Sequence, residues 1–154
     1  LSGIDDLISR IRQIEAAVMD HDRRINNSMR EGEVIETFPD EGMVRVMTDG
    51  MKSKKVPWAT RAGEIKHWSP PRVGERIMLF SPTGEPGNGV VYPGGYSNEF
   101  DENHNLDDED MLTIGESKVH VKDGEILIEV GASSIKITDG NITLKSASID
   151  HEEA

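Results

Sequence analysis

The chain has no cysteine among its 154 residues, which excludes disulfide bridges and thiolate metal sites and leaves its redox compartment unreadable. It is short of aromatics, at 5%, and its 35% hydrophobic content is low for a self-sufficient globule of this length. No apolar run approaches the roughly 20 residues of a membrane-spanning helix, and nothing resembles a secretory signal. Catalytic signatures are missing too: there is no phosphate-binding loop, no Gly-x-Ser-x-Gly, no His-Glu-x-x-His, and no two histidines at metal-ligand spacing. These absences lead us to expect a protein that is not an enzyme, with no catalytic residues, no metal ligands and no cofactor of its own. Basic charge is scarce where acidic charge is dense. Residues 99–154 carry four Lys or Arg against 15 Asp or Glu, and so hold nearly all of the net charge of −12. That balance disfavours nucleic acid and anionic lipid as partners. The first residue is Leu rather than Met, so a few N-terminal residues are expected to be missing.

What the sequence does contain is a repeat. From Val119 to Ile149 it reads as two units offset by 16 residues, aligning Val119 with Ile135, Val121 with Ile137, Ile126 with Ile142, and Ile128 with Leu144. Apolar residues fall on every second position, which sends them to one face of a strand, and Asp123-Gly124 and Asp139-Gly140 supply the backbone angles of tight reversals. Four short strands cannot bury such a stripe alone. The expectation is a homotrimer: three chains wind into a triple-stranded β-helix that turns Val119, Val121, Ile126, Ile128, Val130, Ile135, Ile137, Ile142 and Leu144 onto a common axis.

At the other end, Ile4, Leu7, Ile11, Ile14, Val18, His21 and Ile25 follow a 4-3-4-3 spacing, the seam of a coiled coil. Ser2 with Asp5 offers a cap, and Asn26, Asn27 and Gly32 mark the exit. A lone amphipathic helix on a globule is the plainer alternative. His21 in the seam reads as a register-setting polar group rather than a ligand.

From Glu33 the apolar period changes to two. Val34, Ile35 and Phe38 lead to a turn at Pro39–Gly42, Met43–Met47 form a strand, and Asp49-Gly50 turns again. Further strands begin at Lys54-Lys55-Val56 and cover Arg76–Phe80 and Gly89–Tyr92. Five short strands with one long excursion predict an OB-type barrel. Its segment is charge-neutral and its aromatics sit in loops or core-like positions, so single-stranded nucleic acid is not expected in a groove. Lys52, Lys54 and Lys55 read as a solvated edge. The fold class is thus mainly β, divided as an N-terminal helix or coiled coil (1–30), an OB-fold domain (31–98), an acidic linker (99–110), an intertwined β-helix (111–150) and a tail (151–154).

The linker holds seven carboxylates and no cation between Glu99 and Asp110. It lacks the spacing and central glycine of an EF-hand, so calcium is not expected there. Of the histidines beside it, His67 adjoins Trp68, His104 lies in the acidic stretch, and His120 alternates with Val119 and Val121 and is expected to face solvent.

Trp58-Ala59-Thr60-Arg61-Ala62-Gly63, Trp68-Ser69-Pro70-Pro71, Val73-Gly74-Glu75 and Gly89-Val90-Val91-Tyr92-Pro93-Gly94 stand in one order over about 40 residues. This ordered set, with Trp58, Arg61, Gly63, Trp68, Pro70, Pro71, Gly74 and Gly94 as its marks, resembles the baseplate assembly protein V family, the central spikes of contractile phage tails and related particles. The resemblance implies a homotrimer with an OB barrel and a triple-stranded β-helix, bound to a baseplate hub protein and driven through the bacterial outer envelope. It implies a place in the tail baseplate of a virion or phage-tail-like particle, after assembly in the bacterial cytoplasm. Spikes with a built-in point carry a His-x-His pair that holds iron. This chain has only His151 there, so a metal is expected in a separate tip protein of the PAAR-repeat kind, docked on Ile142, Leu144 and Ile149. The alternatives weighed are a trimeric receptor-binding fibre or adhesin, and a glycan depolymerase on a trimeric β-helix.

Overall fold

The computed structural model describes residues 2–150, and the protein divides into two units, one ending at Asp101 and the other beginning at Glu102. The division falls inside the acidic stretch.

The first unit opens with α1 (Ser2–Asn26), which buries none of its residues. Its polar faces carry solvent-exposed ion pairs one turn apart, Arg10–Asp6 at 3.2 Å and Arg24–Asp20 at 2.8 Å. The helix stops at Asn26, where the Ser28 hydroxyl donates to the Ile25 carbonyl at 2.7 Å. Gly32, expected to help mark this exit, instead lies inside the next strand.

Six strands follow: β1 (Met29–Phe38), β2 (Met43–Thr48), β3 (Met51–Lys52), β4 (Val56–Pro57), β5 (Arg76–Phe80) and β6 (Val90–Pro93). Their order is β3-β2-β1-β5-β6, with β4 also paired to β2. Trp58, just past β4, bridges in parallel to Val91 of β6, and the Ala59 N–H donates to the Val91 carbonyl at 2.8 Å. The sheet therefore closes on itself along β1-β2-β4-β6-β5. Alternation drives inward Val34, Val44, Val46, Val56, Ile77, Leu79 and Val91, all at most 1% exposed, with Trp58 among them. At the turn of Asp49-Gly50 both residues have positive φ, 50° and 75°, as a two-residue hairpin requires.

The third strand departs from the sequence reading. Lys54 and Lys55 lie outside any strand, and a two-residue β3 precedes them. Ser53 is the cause: its hydroxyl accepts the Val46 N–H at 3.0 Å and donates to the Lys54 carbonyl at 2.7 Å. The Ser53 N–H still donates to the Val46 carbonyl at 2.8 Å, but its side chain takes the place of the returning backbone acceptor, and the strand resumes at Val56.

The second unit is one antiparallel meander in chain order: β7 (Glu109–Ile114), β8 (Ser117–Lys122), β9 (Glu125–Val130), β10 (Ser133–Thr138) and β11 (Asn141–Lys145). Register pairs like with like. Val119 faces Ile128, Val121 faces Ile126, Ile135 faces Ile128 and Leu144, and Ile137 faces Ile126 and Ile142. These ladders run within one chain, because each two-residue reversal returns a strand against its predecessor. β7 begins two residues before the expected linker boundary, at Glu109-Asp110, and adds Leu112 and Ile114 to the apolar stripe.

Candidate functional site

The second unit inverts the usual rule for a sheet. Its polar face is half-buried: Glu109, His120, Lys122, Glu125, Glu129 and Lys136 all lie partly covered. Its apolar face is open, with exposure running from 37% at Val119 to 66% at Ile114. The inversion has a local cause. Long polar side chains fold over one another, as where the Lys136 ammonium reaches Glu125 at 2.7 Å and Lys122 reaches it at 3.4 Å. Those ammonium groups hold the Glu125 carboxyl below the usual carboxylate range, chiefly through the Lys136 hydrogen bond. The branched apolar side chains on the other face are exposed.

All nine residues expected on a trimer axis lie on this one face, together with Leu112 and Ile114. A contiguous exposed apolar face of this kind marks an interaction surface. At about 25 cal/mol per Å² of apolar surface, covering it would stabilise the chain. Toward the C-terminal end it deepens into an open groove of about 350 Å³ that includes Ile128, Ile135, Leu144 and Ile149. Ile142, Leu144 and Ile149, the expected tip-docking residues, are all more than half exposed, and β11 leaves one open edge of the sheet. His151 lies outside the described residues.

The seam of α1 is likewise uncovered. Ile4, Leu7, Ile11, Ile14, Val18 and Ile25 are all exposed, as is His21. Among the described residues none buries any residue of this helix.

The motif residues around the barrel separate by role. Trp58 is buried in the core, and Trp68 rests edge-on against it with ring centroids 5.5 Å apart while staying 64% exposed. The Arg61 carbonyl accepts the His67 N–H at 2.9 Å, and Thr60 donates its hydroxyl to the His67 carbonyl at 2.6 Å, closing the loop between the tryptophans. Pro71 is buried and Pro70 half-buried. Gly74 has φ of 87° and gives its N–H to Val34 at 2.8 Å; Gly94 lies so close to β5 that a Cβ would stand 2.8 Å from the Ile77 nitrogen. Gly63 differs, with open space about it and no positive φ. Of the lysine cluster, Lys55 pairs with Glu41 at 2.8 Å and lies 4.1 Å over the Phe38 ring.

One cluster escaped the sequence reading. His120 faces away from the apolar stripe, as alternation demands, but it does not stand in open solvent. Its Nε2 donates to Glu109 Oε2 at 2.6 Å, and His104 Nε2 reaches the same oxygen at 2.7 Å. The two rings meet edge to face at 5.2 Å. Hydrogen bonds first from His104 and then from His120 hold the Glu109 carboxyl below its ordinary range. The histidines are 16 positions apart in sequence, so linear spacing conceals them. The signal that was available is register: His120 stands opposite Met111, one alternation from Glu109.

No protein-family model matches the chain. Over 78 residues, 50% of its length, it is 37% identical to the spike protein of Escherichia phage P2, and the match covers 37% of that protein. The chain thus spans well under half of the relative it matches. The likeness is to part of a phage spike protein, across half of this chain.

Proposed function

We propose that this chain is the structural central spike of a contractile-tail baseplate, working as a homotrimer that pierces the bacterial outer envelope when the sheath contracts. The observation that carries the reading is the uncovered apolar face of the second unit. A sheet of five strands with its isoleucines in water is a component, and a rigid one once those faces meet. Three copies, each presenting the same face to a common axis, bury all three at once and leave Lys, Glu, Thr and Asp outward. In this reading the intrachain meander is one face of a trimeric β-helix. The likeness to a phage spike protein favours this cover over an unrelated partner.

The rest of the chain fits the same assembly. The closed path of five barrel strands supports an OB-type domain, and the exposed seam of α1 supports a coiled coil that registers the three chains. Barrel and helix are then the parts that attach to the baseplate hub. The work is mechanical and requires no catalytic group. The open groove at Leu144 and Ile149, beside an unpaired strand edge, suits a separate small tip protein of the PAAR kind, which would carry the metal of the point. The direct test is electron microscopy of the source particle with this protein labelled. Label on the axis below the tail tube is expected; label on peripheral fibres would replace the spike by a receptor-binding fibre, and glycan release by the purified chain would replace it by a depolymerase.

A further inference from the structure

The geometry of His104, Glu109 and His120 points to a metal site, and we propose that these three side chains bind one borderline divalent transition-metal ion, of the zinc class, on the polar face of the second unit. His104 comes from the segment before β7, Glu109 is the first residue of β7, and His120 lies in β8. One ligand atom from each lies within 4.8 Å of the other two. Two imidazoles and one carboxylate are the donor set of open, three-ligand sites, with water completing the shell.

The neighbouring groups leave this trio available. Lys122 stands opposite Glu109 in the ladder, but its ammonium is turned to Glu125 at 3.4 Å, so the Glu109 carboxylate is left to the histidines. The segment carrying His104 is anchored on the same face by Asn103, whose amide donates to the Thr113 hydroxyl at 2.9 Å. Both imidazoles present the same nitrogen, Nε2, to one carboxylate oxygen, at 2.7 and 2.6 Å. An ion replaces the two N–H protons and moves each to Nδ1. Ligand atoms around a zinc ion stand roughly 3.3 Å apart, given bonds of about 2.0–2.1 Å, so the trio must open by about half an ångström or slightly more. His104 and His120 lie at the sheet surface, 22% and 15% exposed, where this adjustment is small.

The class of ion follows from the donors and their setting. Hard cations such as calcium take six or more oxygens, and two neutral nitrogens are poor substitutes. The surrounding stretch supplies Asp101, Glu102, Asp107, Asp108 and Asp110 with no Lys or Arg between them, a field that concentrates divalent cations. Among the described residues neither Nδ1 has a hydrogen-bond partner, and such outer partners are worth about 10–100-fold in affinity, so binding is expected at micromolar rather than nanomolar strength. The ion would clip the acidic entry segment onto β7 and β8. This inference stands apart from the spike reading.

The full-length chain, stripped with chelator, is titrated with zinc alone by calorimetry, and its bound metal is counted by mass spectrometry. One zinc per chain is expected, with His104→Ala, Glu109→Gln and His120→Ala each weakening binding at least about tenfold. His67→Ala and His151→Ala should bind as the parent does. Because His120→Ala alters the sheet itself, the deciding variant is His104→Ala, which lies outside any strand; cobalt bound to the parent should show visible bands of nitrogen ligation that this variant loses. Zinc binding unchanged in His104→Ala, displacement of zinc by millimolar calcium, or no stoichiometric binding would each overturn the site.

Discussion

Val119 and Ile128 face each other across the β8–β9 ladder, and each keeps about two-fifths of its surface exposed, 37% and 41%. Side chains paired in register yet open above describe half of an interface. Nine such positions, each with about half of its surface left to bury, contribute roughly 1 kcal/mol apiece, a driving force of the same order as the cost of association. Sedimentation equilibrium at micromolar concentration should return three chains per particle, and a monomer would sink both the trimer and the spike.

The two faces of the meander should respond oppositely to one added charge. Ile137 stands between Ile126 and Ile142 on the apolar face, so Ile137→Asp sets three like charges in a dry core with no counter-ion. Loss of soluble trimer is expected. Lys136, the nearest outward position, is an unsuitable control because its ammonium already pairs with Glu125 at 2.7 Å. Thr143, exposed and opposite Lys136, is suitable: Thr143→Asp should leave the trimer intact on a sizing column. Equal behaviour of the two variants would mean that the face assignment is wrong.

Periodicity made much of this legible. The repeat from Val119 announced four strands and their reversals because alternation and Asp-Gly are local properties. β5 was readable for the same reason, since Ile77 and Leu79 alternate with more exposed neighbours. Hidden were features set by contacts distant in sequence. Ser53 displaces the third strand through a bond to Val46, and β7 begins in a run of acids because its partner is β8. The histidine pair needs both a hairpin and the anchoring of Asn103 before it exists, so no spacing rule finds it. The Trp58–Val91 bridge that closes the barrel is equally non-local.

That bridge makes the two tryptophans unequal. Trp58 is 8% exposed and belongs to the buried cluster that holds Val56 and Val91, so Trp58→Ala should cost about 3–5 kcal/mol. Trp68 covers its edge from outside at 64% exposure, and Trp68→Ala should cost under about 1.5 kcal/mol, the scale of an aromatic pair. Urea unfolding followed by circular dichroism measures both. Similar midpoints for the two variants would show that Trp68 is covered in the assembled protein.

Acid should weaken the second unit through Glu125. Its carboxyl is held below the ordinary value of 4.5 by the Lys136 hydrogen bond foremost, with Lys122 adding to it. A lowered folded-state value means that ionised Glu125 favours the folded sheet. The contribution is fully present above about pH 4.5 and is lost as pH falls through the lower folded-state value. Urea midpoints should therefore fall on acidification, and Glu125→Gln should flatten that part of the slope. An unchanged slope in Glu125→Gln would assign the acid sensitivity to other carboxylates.

Two glycines of the first unit separate close approach from chain flexibility. At Gly32 on β1, an added Cβ would lie 2.2 Å from the Met47 carbonyl oxygen and 2.7 Å from the Thr48 methyl. Neither β1 nor β2 can give way without disturbing the Gly32–Ile77 and Glu33–Met47 pairings, so Gly32→Ala should cost about 1–3 kcal/mol as an overpacking change. Gly63 meets nothing within 4 Å and needs no positive φ. Gly63→Ala restricts the unfolded chain more than it strains the folded one, and should be neutral or stabilising by about 0.4–1 kcal/mol. Urea midpoints at constant m-value test both. If Gly63→Ala leaves stability unchanged but the protein no longer assembles into particles, the open space at Gly63 is where another protein docks; if it destabilises the isolated chain as much as Gly32→Ala does, the loop between Trp58 and Trp68 is more constrained than its exposure implies.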